Sequence, residues 1–290
     1  MEREYRAYAK INLYLRIRGL LPNGYHDLDM IMVPIDLYDR ITISVLPETA
    51  PRSFIYTEGH NVRESDNLAF VALNRMRAKY GFKENLAIHI EKSIPIGAGL
   101  GGGSSDAATI IRALVEIFDL PAKEEDLVAL GKEIGSDVPF FLKQKPARLQ
   151  GVGEEITPIE VRNKGQKVLL VKPEESLVTR DVYKAYDAAP VTEEKPDIEK
   201  LLKALESGVD HTHKKLFHND LTSAAVRLLP AVGKIKNSLK KEGDFIVEMT
   251  GAGSAVYIIS RNEIKLRYLR DKYEQKGYQT FLVDFNPEIK

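Results

Sequence analysis

Three short stretches of this chain hold residue types that could handle phosphate. The first is Ile94–Asp106, IPIGAGLGGGSSD, with glycine at 97, 99, 101, 102 and 103 followed by Ser104 and Ser105. Glycine accepts positive φ and lets another group approach its amide closely. Successive amides that lead into a helix N-terminus make a cradle for anionic oxygen, with the helix dipole behind it. The second stretch is Ala9-Lys10-Ile11-Asn12-Leu13, where Lys10 brings an ammonium. The third is Gly135-Ser136-Asp137-Val138-Pro139-Phe140-Phe141. A carboxylate among such apolar neighbours is costly unless it is paired or hydrogen-bonded. Taken alone, Asp137 reads as a helix cap, a turn residue or a base, and Lys10 as a solvent-facing lysine. Paired, the ammonium would keep the carboxylate charged and oriented.

The kind of cradle is narrowed by what the loop lacks. A P-loop ends in Gly-Lys-Ser/Thr, and its lysine reaches the terminal phosphates. Here Gly103 is followed by Ser104, and the loop has no lysine. The dinucleotide fingerprint G-x-G-x-x-G is present at Gly97, Gly99 and Gly102. It needs a strand running into its first glycine and an acid about 20 residues further on. Pro95 stands where that strand should end, and Asp119 falls at the close of the following helix. A flexible linker would lack the apolar flanks and the helix after it. His211, His213 and His218 offer no i, i+4 pair and no acid cluster, so a zinc site is not expected there.

The elements that must position these residues follow from hydrophobic period and breakers. Ala9–Ile17 alternates, with Ile11, Leu13, Leu15 and Ile17 on one face and Lys10, Asn12, Tyr14 and Arg16 on the other, as in a strand packed on one side. Pro22-Asn23-Gly24 signals a turn. Leu28–Asp36 and Arg40–Leu46 read as two strands, Ser65–Tyr80 as a helix capped by Ser65 or Asp66, and Ala87–Glu91 as a strand before the glycine loop. Asp106–Phe118 predicts a helix capped by Ser104 or Ser105, with Ile110, Ile111, Leu114, Ile117 and Phe118 on its apolar face. Lys123–Ile134 is a second amphipathic helix, stopped near Gly135, and Ala147–Ile159 is extended with bends at Gly151 and Gly153. The pattern resets at Pro158–Gln166, which divides the chain into domains 1–160 and 161–290. The second half reads as strand 167–172, helix 179–187, a charged loop over 190–198 and helices over 197–206 and 219–240. A strand pair (244–249 and 255–260), helix 261–276 and strand 278–284 complete an α+β arrangement. Thr192–Lys200 reads as a solvated linker or helix start.

Composition bounds the partners. The 290 residues balance 42 Lys+Arg against 42 Asp+Glu, which speaks against a broad nucleic-acid surface. There is no cysteine, hence no disulfide, thiol nucleophile or Cys-based zinc site. No apolar run approaches membrane-spanning length, and the start, MEREYR, is unlike a signal peptide, so a cytoplasmic protein without a membrane partner is expected.

The motifs together resemble the GHMP kinases, the small-molecule kinases that include homoserine, galactose and mevalonate kinases. Pro95, Gly99, Leu100, Gly101, Ser104, Ser105 and Ala107 are similar to the family's P-x-x-x-G-L-G-x-S-S-x-A loop, with one residue inserted before the serines. Ala9–Leu13, Gly24-Tyr25-His26-Asp27-Leu28, the glycine loop, Gly135–Phe140 and Gly151-Val152-Gly153-Glu154 occur in the family's order, and the likeness covers residues 7–260. The opening AKINL and PNGYH pair points to the branch that acts on a cytidine diphosphate-linked sugar alcohol of non-mevalonate isoprenoid synthesis. Met249-Thr250-Gly251-Ala252-Gly253-Ser254-Ala255 resembles the family's third glycine motif. Gly251 and Gly253 match it, whereas Thr250, Ala252, Ser254 and Ala255 depart, which leaves side-chain roles there open.

The resemblance implies an α+β, two-domain GHMP kinase fold, with an N-terminal ribosomal-protein-S5-like domain and a C-terminal ferredoxin-like domain. It implies ATP and Mg2+, a small-molecule alcohol substrate, and a monomer or homodimer. Asp137 would take the hydroxyl proton and Lys10 would hold Asp137 ionised. The segment Pro95, Ile96, Gly97, Ala98, Gly99, Leu100, Gly101, Gly102, Gly103, Ser104 and Ser105 would hold the triphosphate, with Ser104 or Ser105 near the metal. Asn67 would bond adenine or cap its helix. Tyr25 and His26 would recognise cytosine, with Asn12, Asp137 and Thr179 in the substrate site. Tyr183 would close the other side of the base or serve as a helix-face residue. Rival readings are another GHMP alcohol kinase, a silent nucleotide-binding regulator on the same scaffold and an NAD-dependent oxidoreductase.

Overall fold

A computed structural model describes residues 2–59, 66–190 and 194–289. Their packing falls into two compact units that are interleaved along the chain rather than split at residue 160. One comprises residues up to Ala9, Leu37–Pro95 and Gly101–Gln144; the other comprises Lys10–Asp36, Ile96–Leu100 and Lys145 onward. Two long strands, β1 (Glu2–Leu20) and β2 (His26–Val45), run through both. The two strands expected at 28–36 and 40–46 are therefore one, because nothing between them breaks the extended chain.

The first unit contains β3 (Phe54–Thr57), α1 (Leu68–Tyr80), β4 (Leu86–Glu91), α2 (Gly102–Ile117), α3 (Glu124–Ile134) and α4 (Val138–Lys143). Arg40–Val45 pairs antiparallel with Leu86–Glu91, and Phe54–Thr57 pairs parallel with Ala87–Ile90. Helix α2 is buried from Ser105 through Ile111, with Ser105, Ala107, Ala108 and Thr109 small enough to let α1 and α4 come close. Ile110, Ile111 and Leu114 face the core as the period predicts, and Phe118 stacks on Phe82 at 4.7 Å. Asn67, not Asp66, caps α1: its Oδ1 accepts from Ala69 N at 3.0 Å. Ser65, the other expected cap, lies outside the described residues.

The second unit contains the hairpin β5 (Ala147–Gly151) and β6 (Glu155–Pro158), then β7 (Lys167–Lys172), α5 (Thr179–Ala188), α6 (Ile198–Ser207) and β8 (His218–Asn219). It continues with α7 (Thr222–Leu228), α8 (Pro230–Lys240), β9 (Ile246–Met249), β10 (Val256–Ser260), α9 (Glu263–Glu274) and β11 (Gln279–Asp284). Four strands form an antiparallel sheet in the order β11-β7-β10-β9. With helices before β9 and between β10 and β11, this is a ferredoxin-like arrangement. The central strands β7 and β10 are buried along nearly their whole length, so they read as apolar runs rather than alternations. The single helix expected at 219–240 is two helices. Pro230 cannot donate to the preceding turn and holds Leu229 extended at φ −137, ψ 90. A short 3-10 helix at His211–Leu216 was not foreseen. Among the described residues no helix is long and apolar enough to cross a membrane.

Candidate active site

The glycine loop begins as an edge-like segment, Ile96–Leu100, in the second unit. Every carbonyl in it is taken. Ile96 O accepts from Ser176 Oγ (2.9 Å), Gly97 O from Ser254 N (3.2 Å) and Leu177 N (3.3 Å), and Ala98 O from Ala255 N (3.3 Å). Gly99 O accepts from Thr250 Oγ1 (3.3 Å), and Leu100 O from Lys10 N (3.1 Å). None of the five amides donates to a protein group among the described residues. Carbonyls spent and amides unspent leave those amides free for water or for an acceptor from outside the chain. Ala98 and Leu100 bury their side chains and pin the segment; Gly97 and Gly99 take φ of +62° and +76°.

This segment locks onto the third glycine motif. A Cβ on Gly99 would come 2.1 Å from Thr250 O, and one on Gly251 would come 2.8 Å from Gly99 O and 3.3 Å from Lys10 Nζ. Close backbone approach is thus the reason for glycine at both positions. Thr250, a departure from the family motif, is fully buried and ties β1 to the glycine loop: its hydroxyl accepts from Asn12 N at 3.0 Å and donates to Gly99 O. Asn219, on β8, holds the same turn by donating from Nδ2 to Met249 O (2.9 Å) and Gly251 O (2.8 Å). Replacing Thr250 with Val keeps the shape but strands an amide and a carbonyl. A loss of about 1–3 kcal/mol is expected, read as a lower urea midpoint; an unchanged midpoint would deny the hydroxyl this bridging role.

Lys10 is only 3% exposed. The expected solvent face of β1 does not exist there, because Ala7–Leu15 is covered on both sides. Its ammonium donates to Asn12 Oδ1 at 2.6 Å, and Asn12 is in turn fixed by Thr250 and by Tyr257, whose hydroxyl donates to Asn12 O at 3.0 Å. Asn12 therefore aims Lys10, a role the sequence did not suggest.

In the first unit the loop continues into α2. Gly101 is the N-cap residue, with φ +75°, and the helix starts at Gly102, four residues earlier than expected. Ser104 and Ser105 lie inside the first turn and are not caps. The amides of Gly102, Gly103 and Ser104 have no turn before them to bond. Ser105 is buried and donates to Tyr8 O at 2.6 Å, which leaves Ser104 as the accessible hydroxyl of the pair. Asp137 is the residue before α4, half-buried, and its side chain makes no capping bond. Its turn lies beside Ser104: a Cβ on Gly135 would sit 3.6 Å from Ser104 Oγ and 3.6 Å from Leu68 Cδ1. Asn67 belongs to the same neighbourhood through Leu68, which also approaches Gly103. Besides capping α1, Asn67 donates from Nδ2 to Thr57 Oγ1 at 3.4 Å.

A buried charge cluster that the sequence reading missed braces the root of the loop. Lys92 Nζ sits 2.5 Å from Asp39 Oδ2 and 2.7 Å from Asp106 Oδ2, and Asp39 Oδ1 accepts from Ser93 N (2.6 Å) and Ile94 N (2.8 Å). Burial opposes the charge on Lys92, but Asp106 and Asp39 outweigh it and hold its pKa above the ordinary lysine value. Burial, with Asp39 adding to it and Lys92 opposing it, pushes Asp106 up to about 7. Its Oδ1 is buried with no hydrogen-bond partner among the described residues. Because the folded pKa exceeds the unfolded one, 3.8, folding takes up a proton between the two values, and stability falls as pH rises through that window. Asp106→Asn removes this dependence. Its melting temperature relative to the parent is expected to rise from pH 5 to pH 8; a difference that does not vary with pH would contradict the assignment.

At the other candidate subsite, Tyr25 is exposed and His26 follows it at the start of β2. His26 Nε2 lies 2.8 Å from Asp187 Oδ1, and the ring lies 4.7 Å from Tyr183 at 32°. That is direct ring contact, so no base fits between His26 and Tyr183. Thr179 opens α5, the helix that carries Tyr183 and Asp187. Asp187 gave no signal in the sequence beyond lying one turn past Tyr183.

Comparison with known proteins follows the same lines. Residues 67–145 match the family pattern for the GHMP kinases N terminal domain, and residues 194–279 match that for the GHMP kinases C terminal. The chain is 36% identical over 259 residues to a 4-diphosphocytidyl-2-C-methyl-D-erythritol kinase of Caldicellulosiruptor saccharolyticus, covering 89% of this chain and 88% of that one. It is 37% identical over 265 residues to the protein of that name from Bacillus licheniformis, covering 90% and 89%. A crystal structure of 4-(cytidine 5'-diphospho)-2C-methyl-D-erythritol kinase superposes with a TM-score of 0.81 at 29% identity, over 98% of this chain and 100% of that one. A homoserine kinase structure from Cytophaga hutchinsonii shares the fold, with a TM-score of 0.71 at 13% identity over 97% and 95%.

Proposed function

Because the chain belongs to the 4-diphosphocytidyl-2-C-methyl-D-erythritol kinases, a branch of the GHMP kinases, we propose that it transfers the γ-phosphoryl group of ATP to the 2-hydroxyl of 4-diphosphocytidyl-2-C-methyl-D-erythritol. The observation that carries this reading is the unspent amide run. Five carbonyls of Ile96–Leu100 are consumed by the protein while their amides, and those opening α2, have no acceptor among the described residues. A triphosphate supplies the missing acceptors.

In the proposed reaction the substrate oxygen bonds to the γ-phosphorus as the bond to the β,γ-bridging oxygen breaks, and ADP leaves with that electron pair. Asp137 takes the hydroxyl proton. Lys10, aimed by Asn12, keeps Asp137 ionised and favours the developing alkoxide. The remaining effect is positioning and charge stabilisation, as in phosphoryl transfer generally. Asn67 sits one residue from the α1 turn beside Gly103 and reads the adenine edge. Tyr25 and His26 take the cytosine, with Thr179 on the same side and Tyr183 supporting the His26 ring.

Among the described residues no group of three or more His, Asp or Glu could hold a metal ion. Mg2+ is commonly carried by substrate phosphates and waters with few protein ligands and does not need such a cluster. Ser104, the more accessible hydroxyl of the pair, would join it, and the ion would supply charge neutralisation on the phosphates.

Titration calorimetry separates this reading from a kinase of another alcohol and from an NAD-dependent oxidoreductase, and turnover on the purified protein separates it from a silent regulator. The cytidylyl alcohol is expected to bind, and homoserine, mevalonate and NAD are not. Binding of homoserine or mevalonate in its place would move the chain to another alcohol, and NAD binding would overturn the kinase reading.

A further inference from the structure

We propose that Asp187 is a positioning residue for base selection: it fixes the ring tautomer of His26, and through it the preference for a 4-amino over a 4-oxo pyrimidine. This rests on the functional reading above, in which His26 meets the base. Asp187 Oδ1 lies 2.8 Å from His26 Nε2. An ionised carboxylate can only accept a hydrogen bond, so Nε2 carries the hydrogen. In a neutral imidazole the other nitrogen is then an acceptor, and the partner of one nitrogen decides what the other offers. Nδ1 of His26 meets no protein group among the described residues.

The ring is also held against rotation. Tyr183 covers one face at 4.7 Å, and Tyr186 meets it edge-on at 6.4 Å and 81°. The imidazole is mostly covered, with 12% side-chain exposure, whereas the Asp187 side chain is 51% exposed. What this assembly presents is a lone pair with a set direction. The 4-amino group of cytosine donates to such a lone pair. The 4-oxo group of uracil would set acceptor against acceptor. A surface ion pair that merely tied α5 to β2 would have no reason to care which base is bound.

Two measurements test this. In calorimetry with CDP and UDP as probes, the parent is expected to prefer CDP. Asp187→Ala is expected to compress the CDP/UDP ratio by about tenfold or more, one hydrogen bond's worth. Asp187→Glu is expected to restore most of it, with melting temperatures alike across the three proteins. In 15N spectra of the imidazole, the parent should show the Nε2-protonated form and Asp187→Ala a mixture. An Asp187→Ala protein that keeps both the ratio and the single tautomer overturns the inference, as does a parent that binds CDP and UDP equally. A parent that binds the cytidylyl alcohol but shows either of those results leaves the kinase reading standing. A parent that binds no cytidine compound at all takes both down.

Discussion

Asp137→Asn is expected to lower turnover about 10²–10⁴-fold, the usual contribution of a positioned proton acceptor, with little change in the melting temperature or in the KM for ATP. The carboxylate does not cap α4, and an amide of the same shape fits the same half-buried turn. The proposed phosphate cradle is made of amides, and the substitution leaves them untouched. Lys10→Ala should also lose activity, but for two reasons. It removes the ammonium, and it strands Asn12 Oδ1, which accepts from Nζ at 2.6 Å. If Lys10 and Asp137 act as one unit, the double variant will be scarcely worse than the single Asp137→Asn, since residues that work together are not additive. Fully multiplicative losses would mean that the two residues serve separate steps. An Asp137→Asn protein with parental turnover would remove Asp137 as the base.

Gly99→Ala should be severely damaging. The new Cβ would stand 2.1 Å from Thr250 O, a backbone atom already held by Gly253 N at 2.9 Å, and the φ of +76° is strained for any side chain. Overpacking and the left-handed backbone together cost about 2–4 kcal/mol. The clash also pushes the amide run off the third glycine motif, so ATP affinity should fall along with stability. Gly103→Ala is the control for stability. It lies in α2, its nearest neighbour would be Leu68 Cδ1 at 3.8 Å, and its melting temperature should not fall. Equal melting temperatures for Gly99→Ala and the parent would show that the two motifs do not need the close approach.

What could be read from the sequence was local. The glycine loop, the helix after it and the polar turn at Asp137 are written in adjacent residues, and period and composition are enough to find them. Element types in the second half were also legible, because each has its own apolar period. The errors have physical causes. A hydroxyl before an apolar run suggested a cap at Ser104 or Ser105, but positive φ at Gly101 starts α2 earlier and turns Ser105 back to Tyr8 O. The helix at 219–240 ignored Pro230, a breaker in plain view. Alternation in β1 predicted an exposed Lys10, yet both faces are covered by parts of the chain that are distant in sequence. The partners that aim the site were the least legible. Thr250 meets Asn12 across 238 positions, and Asp39 meets Lys92 across 53. No spacing rule links such residues. Thr250 looked like a defect in a motif until its two hydrogen bonds were seen.

The central claim is that this chain phosphorylates one particular hydroxyl at the expense of ATP. The most direct measurement is phosphorus NMR of a reaction containing the purified protein, ATP, Mg2+ and 4-diphosphocytidyl-2-C-methyl-D-erythritol. The account predicts ADP and a new phosphate monoester on the 2-hydroxyl in equal amounts, with neither formed when the cytidylyl alcohol is left out. Hydrolysis of ATP without a phosphorylated alcohol, or no consumption of ATP at all, would contradict it.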